Sequence, residues 1–418
     1  MKPVTWVPLT LAGLSAAAAG VYLDVLAAAA ARSRPAPPPT APTSRIAILV
    51  PAHNEADYIA RSVRSLLTQD YPEHLFRIVV IADNCTDATA AIAASAGASV
   101  LVRDNPDAPG KGQALRWAMD QLMHAPDGPD GPGGPDAIVV VDADTVADAG
   151  MLRALAGRLE QGATVVQGEY LALEEDASPA ATLRAVGLLL FHKVRFSGRA
   201  AIGLPCSLVG NGMLFSRQVL DEVPWSAFSS VEDLEYTIDL RLAGHDPVYA
   251  SNARLWAPLA VGGRAERVQR MRWEGGRFHV VRTRLPKLVG EILRGRWSLL
   301  DAAVDLLVPP LGVLTVIAVA GTGITVAAVA RGAPVWVALP WAAASVSIPI
   351  FVLGGLASAH APRAAYRSLA LAPAHVASSL LIRLRLFRGL GANTWERTQR
   401  PSDSPGLHSK SGNGQSKS

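Results

Sequence analysis

The stretch 137-AIVVVDADT-145 is a short run of mostly β-branched residues that ends abruptly in Asp142 and Asp144. By length and composition it reads as a buried parallel strand, since a strand covered on both faces is apolar at every position rather than at alternate ones. Two carboxylates at i and i+2 beyond such a strand are not packing residues, because burying an unpaired carboxylate is costly. A hard divalent cation, which takes oxygen ligands and joins a carboxylate to substrate phosphates, offsets them. A solvated acidic turn is the competing reading of this pair taken alone.

Working outward from it, the same grammar recurs. Upstream, 45-RIAILV-50, 77-RIVVIA-82 and Ser99–Val102 read as strands, and the intervening Asp57–Leu67, Ala88–Ala96 and Lys111–Met123 read as helices. Residues Pro126–Asp136, rich in Gly, Pro and Asp, read as a loop. Strands alternating with helices imply an α/β, doubly wound, mostly parallel sheet whose ligands sit beyond the carboxyl ends of the strands.

The chain has 418 residues, half of them hydrophobic and 18% charged, with a net charge of +4 and a mean hydropathy of +0.24. That charge is too small to argue for nucleic acid, and the apolar excess lies in blocks. Val4–Ala31 is long enough to span a bilayer. Lys2 precedes it and Arg32, Arg34 and Arg45 follow, which favours an uncleaved anchor followed by a cytoplasmic segment, with a cleaved leader as the alternative. Leu306–Ala330 and Val335–Ala357 read as further spans. Leu369–Leu386, broken by Pro373, His375, Arg383 and Arg385, reads as an interfacial helix. The expected organisation is an anchor at 1–34, a Pro-rich linker at 35–44, a cytoplasmic catalytic domain at 45–290, a C-terminal membrane region at 291–400 and a disordered tail at 401–418. Cys85 and Cys206, the only cysteines, read as reduced thiols.

Other polar clusters fall at the expected ligand edge. These are 51-PAHNE-55 with Glu55, 82-ADNCTD-87 with Asp83, and Gly110-Lys111-Gly112 opening a helix, where backbone amides and a cation favour an anion. Asp87 is placed to cap the helix that follows it. Further on, 231-VEDLE-235 sets Glu232, Asp233 and Glu235 so close that they repel unless one is protonated or shared with a cation. In 269-QRMRW-273, arginine suits a diphosphate and tryptophan a sugar face.

Taken in order, PAHNE, ADNCTD, GKGQAL, VDADT, GNGMLF, VED and QRMRW resemble glycosyltransferase family 2, in the membrane-integrated branch with cellulose, chitin, hyaluronan and poly-N-acetylglucosamine synthases. The resemblance runs from Arg45 to Trp273, and 395-WERTQR-400 resembles the ending of some bacterial members. It implies a GT-A type, Rossmann-like nucleotide-sugar-binding domain with flanking transmembrane helices. It also implies an inverting, metal-dependent transfer from a UDP-hexose or UDP-N-acetylhexosamine to a saccharide or lipid-linked acceptor at the cell membrane.

Carried onto this chain, the resemblance gives Glu55, Asp83 and Lys111 to the nucleotide, and Asp142 and Asp144 to the donor and a Mg²⁺ or Mn²⁺ ion. Asp233, beside Glu232, is implied as catalytic base. Gln269, Arg272 and Trp273 are implied for diphosphate and acceptor, with Asn211 on the acceptor side. Val231 stands where the family usually has threonine, and 206-CSLVGNG-212 departs from the cellulose and hyaluronan synthase pattern. QRMRW points to a polymer synthase and the small number of spans to a single addition; a homo-oligomer or export partner would supply missing helices. The competing class is a non-catalytic membrane sugar-binding or export component with a degenerate domain, against which the complete carboxylate set argues.

Overall fold

The computed structural model describes residues 6–35, 41–123, 134–173, 178–259 and 263–377, without the side chains of 263–272 and 274. Eight strands form one sheet: β1 (Ile46–Ala52), β2 (Phe76–Asp83), β3 (Ser99–Arg103), β4 (Ala137–Val140), β5 (Val146–Ala147), β6 (Val165–Leu173), β7 (Met213–Ser216) and β8 (Val248–Pro258). Their spatial order is β3-β2-β1-β4-β7-β6-β8-β5.

The expected strands and helices are present within a residue or two, and Lys111–Met123 is a helix over its expected length. The sheet is mostly parallel, as expected, with β7 and β5 running against the other six strands. The β1–β2, β2–β3, β1–β4 and β6–β8 pairs are parallel, whereas β7 runs antiparallel to β4 and β6, and β5 antiparallel to β8. Periodicity cannot give the direction of a strand, and β7, only four residues long, carries no pattern of its own.

Both faces of β1 are buried. Ile46, Ile48 and Val50 pack toward Ile59, Val63, Leu66 and the helix Met151–Glu160, while Ala47 and Leu49 pack toward Leu115, Ala118, Trp225 and Tyr236. This is why the strand is apolar throughout. With β2 on one side of β1 and β4 on the other, the strand order reverses at β1, and a crevice opens at the carboxyl ends of β1 and β4.

Among the described residues, three helices are long and apolar enough to cross a membrane: Val7–Ala30, Leu311–Val329 and the stretch Val335–Ser358. The expected span Leu306–Ala330 is in fact two helices, Leu300–Leu307 and Leu311–Val329. Pro309 and Pro310 cannot donate to a helical ladder, and Val308 before them is extended. The Trp341 indole of the last span donates to Leu9 O of the first at 3.0 Å. Of the expected interfacial helix, Leu369–Leu371 is a single 3₁₀ turn followed by helix to 377. The remainder, like 401–418, lies outside the described residues.

Sequence reading assigned no element to residues 179–201, yet they form one rod. Helix Pro179–Leu189, capped by Ser178, passes through a π-helical turn at Leu190–Val194 into helix Arg195–Ala201. A methyl group added at Gly198 would lie 2.2 Å from Leu26 O, so only glycine permits this contact with the first apolar helix.

Candidate active site

The crevice is lined from the strand ends. Asn54 and Asn84, just beyond β1 and β2, both have positive φ, and each amide oxygen accepts a backbone N–H, Asn54 from Thr86 at 2.8 Å and Asn84 from Asn105 at 2.7 Å. These side chains hold loop turns that alanine would not. Asp87 accepts from Thr89 N at 2.9 Å and Ala56 N at 3.2 Å; it stands one residue ahead of the N-cap, Ala88, rather than at it, and ties the β1 loop to the β2 loop. Glu55, half-buried, starts the turn into helix Ile59–Leu67, its carbonyl accepting from Tyr58 and Ile59.

Asp83 is buried, and its carboxylate is gripped by Arg103 Nη1 at 2.5 Å and by the Asn84 amide at 3.1 Å. Arg103, at the end of β3, went unnoticed in the sequence reading. No motif marks it, and only the β2–β3 register, which pairs Asp83 with Arg103, brings it there.

The central cluster joins three segments. Lys111 Nζ, at the start of its helix, donates to Asp142 Oδ1 at 2.6 Å and Gly210 O at 2.5 Å, and lies 3.7 Å from Glu232. Burial alone would lower the Lys111 ammonium, but Asp142 and Glu232 together raise it above its ordinary value. Asp142 and Asp144 are half-buried, while Ala143 and Thr145 face inward. Asn211 is fully buried; its amide oxygen accepts from Asp142 N at 3.2 Å and its amide nitrogen donates to Thr145 at 2.8 Å. Its side chain therefore braces the acidic turn from within. Gly210 has φ +78°, and an added Cβ there would lie 3.3 Å from Asp233 Oδ2, so the glycine serves both turn and clearance.

The repulsion expected in VEDLE is resolved unequally. Glu235 pairs with Arg284 at 2.8 Å, and Glu232 faces Lys111. Asp233 Oδ1 accepts only the Leu234 amide at 2.7 Å among the hydrogen bonds described. Burial and the adjacent Glu232 push its carboxyl up to about 7, against the pull of that amide and Lys111. A carboxylate poised there is a competent proton acceptor near neutral pH.

The helix Gly263–Leu293 carries Gln269 and Arg272 on its backbone, their side chains outside the described set. Trp273 is about half exposed at 52%. One turn on, Gly276 abuts Val231 and Ser230, which seats this helix against the start of the helix Glu232–Ala243. Cys85 and Cys206 are free thiols, and burial pushes Cys206 up to about 12.

Among the described residues, no three His, Cys, Asp or Glu side chains stand together as a metal cage. The site fits an ion of another kind. Among the described ion pairs, Lys111 meets both Asp142 and Glu232, and two carboxylates such as Asp142 and Asp144 with substrate phosphates suffice for a Mg²⁺-type ion.

A mixed sheet with an acidic crevice at its switch point defines a GT-A type glycosyltransferase domain. The family described as "Glycosyltransferase like family 2" matches residues 42–276, more than half of the chain, and the protein belongs to that family. The beta-monoglucosyldiacylglycerol synthase of a Nostoc species is 29% identical over 206 residues, covering 47% of this chain and 41% of that protein. The probable glycosyltransferase YdaM of Bacillus subtilis is 22% identical over 244 residues, covering 57% and 56%. The chain thus spans well under two thirds of each. The mannosyltransferase PcManGT of Pyrobaculum calidifontis, solved with GDP-Man and Mn²⁺, superposes with a TM-score of 0.53 at 17% identity, over 84% of this chain and 98% of that one. That likeness establishes the fold.

Proposed function

We propose that the protein is a multi-pass membrane enzyme that transfers a sugar, with inversion, from a UDP-hexose or UDP-N-acetylhexosamine to a lipid-linked acceptor. The observation that carries this reading is Asp233, held near neutrality by burial and Glu232, opposite Lys111 and Asp142 at the switch-point crevice.

The nucleotide would lie over the β1 and β2 ends, near Glu55 and Asp83, with Arg103 fixing the Asp83 carboxylate. Asp142 and Asp144 would hold a Mg²⁺ or Mn²⁺ ion, which when bound offsets charge on the diphosphate. Asp233 accepts the proton of the acceptor hydroxyl as that oxygen attacks the anomeric carbon. Lys111, with Arg272 of the QRMRW segment, would offset the charge that develops on the departing diphosphate, and Trp273 would offer a face to the acceptor sugar. A single displacement converts an α-linked donor to a β-linked product.

The name of the Nostoc relative supports a lipid acceptor over a polymer, as does the packing of the rod 179–201 on the first apolar helix. Arg32 and Arg34 beside that helix support a cytoplasmic catalytic domain within 45–290, flanked by an anchor before it and membrane helices after it. The test is a screen of UDP-glucose, UDP-N-acetylglucosamine and GDP-mannose, with Mn²⁺ or with EDTA, against liposomes containing diacylglycerol. Transfer abolished by EDTA and by Asp233→Asn is expected. Undiminished turnover in Asp233→Asn would sink the base assignment.

A further inference from the structure

Behind the crevice lies a second set of charges that the reaction does not use. The helix Leu300–Leu307, between the catalytic domain and the span Leu311–Val329, presents two carboxylates to the protein. Its Leu300, Val304 and Leu307 face outward, exposed by 48%, 36% and 55%. Asp301 accepts from Arg199 Nη2 at 2.6 Å and from both terminal nitrogens of Arg241, at 2.6 and 3.1 Å. Asp305 accepts from Arg195 at 2.6 Å, Arg199 at 2.9 Å, Ser207 at 3.0 Å and the Tyr22 hydroxyl of the first span at 3.2 Å. Tyr22 in turn accepts from Arg199.

Two routes lead from this cluster to the reacting groups. Arg241 lies in the last turn of the helix whose first turn carries Glu232 and Asp233. The second route is the loop 205–211, in which nearly every residue is tied to a different element. Pro205 O accepts from Arg199 at 2.6 Å and Ser207 donates to Asp305. Leu208 N donates to Thr237, whose hydroxyl donates to Asp233 O at 2.7 Å. Val209 N donates to Gln167 at 3.0 Å, Gly210 O accepts from Lys111, and Asn211 accepts from Asp142 N. The bonds at the ends of this route, from Arg199, to Asp305 and from Lys111, are charge-assisted and directional, and neutral bonds join them through Leu208, Val209 and Asn211.

We infer that Asp301 and Asp305 are positioning residues for the transfer. They lock the catalytic helix and the acceptor-side loop to the two membrane helices that Tyr22 and Leu300–Leu307 bring together. This rests on the assignment of Asp233 as base. The nucleoside is held at the opposite, β1–β2 side of the crevice, while Lys111 and Asp142 at the end of the second route meet only the diphosphate, so loosening the lock lowers kcat more than it raises KM for the donor.

The experiment uses the full chain in lipid nanodiscs, comparing wild type with Asp305→Asn and with Tyr22→Phe. The second removes two hydrogen bonds and no charge, and so keeps the test open should the first fail to fold. Hydrogen–deuterium exchange is read at residues 204–212 and 232–243, and turnover with UDP-glucose, Mn²⁺ and diacylglycerol. Faster exchange in both stretches is expected, with kcat down about tenfold in Asp305→Asn and about threefold in Tyr22→Phe and the donor KM within about twofold, the scale of coupling through packed networks. Unchanged exchange in both stretches overturns the inference, as does full kcat per folded molecule despite loosening. A wild type inert toward every donor rejects the transferase reading instead, and the exchange measurement then decides the lock alone.

Discussion

Asp233 and Asp305 are the same residue type in opposite circumstances. Burial raises the carboxyl in both. At Asp305 the guanidinium groups of Arg195 and Arg199 outweigh it and hold the group well below the usual carboxylate range. At Asp233 burial acts with another carboxylate, Glu232, and the group is pushed up to about 7. One cluster contains enough cations to satisfy its acids and serves as structure. In the other, Lys111 is the one cation among the described ion pairs of Asp142 and Glu232, which suits the cluster to take a proton or a cation. The contrast separates scaffold from chemistry more sharply than burial does.

The largest effect should come from removing the unsatisfied acid. Asp233→Asn should lower transfer by at least about 10²–10⁴-fold, the usual contribution of a positioned base, while UDP still binds by calorimetry. Next, removing a satisfied acid should damage the fold. Asp301→Ala leaves Arg199 to Asp305 and Arg241 to Asp246, so it removes charged hydrogen bonds without stranding either cation and should cost about 1.5–3 kcal/mol, read as an earlier unfolding transition.

The pH dependence of the two sites should have opposite signs. Because Asp233 is raised, folding takes up a proton there between its ordinary value and about 7, and stability falls as pH rises through that window. Asp233→Asn should therefore raise the melting temperature at pH 8 by roughly 2–4 °C for each kcal/mol recovered, even as it removes activity. Asp305, being depressed, contributes stability above its ordinary value that is lost as pH falls through its folded value, so acid unfolding should move to higher pH in Asp305→Asn. Smallest of all, Asp120→Asn breaks an exposed i,i+4 pair with Arg116 and should change stability by less than about 0.5 kcal/mol.

What the sequence disclosed follows from how each feature is encoded. Strands β1, β2 and β4 and the helix Lys111–Met123 were legible because buried runs and helical periods are local signals. So were the acids at strand ends, since a sheet of this kind places its ligands there. Arg103 was not legible, because it reaches Asp83 through strand pairing. Neither was the partnership of Arg199 with Asp301 and Asp305, which joins residues about a hundred positions apart with no spacing rule. The rod 179–201 stayed hidden because it packs partly against apolar helices, so its two faces differ little in polarity.

The close seating of Gly198 on Leu26 also bears on how the chain is made. Residues 7–30 are synthesised before the surface around Gly198 that receives them, and Ser347, which bonds Asp24, comes later still. The contacts that seat this helix and shelter Asp24 therefore form only after most of the described chain has been made, so its place in the fold is set by residues far downstream of it.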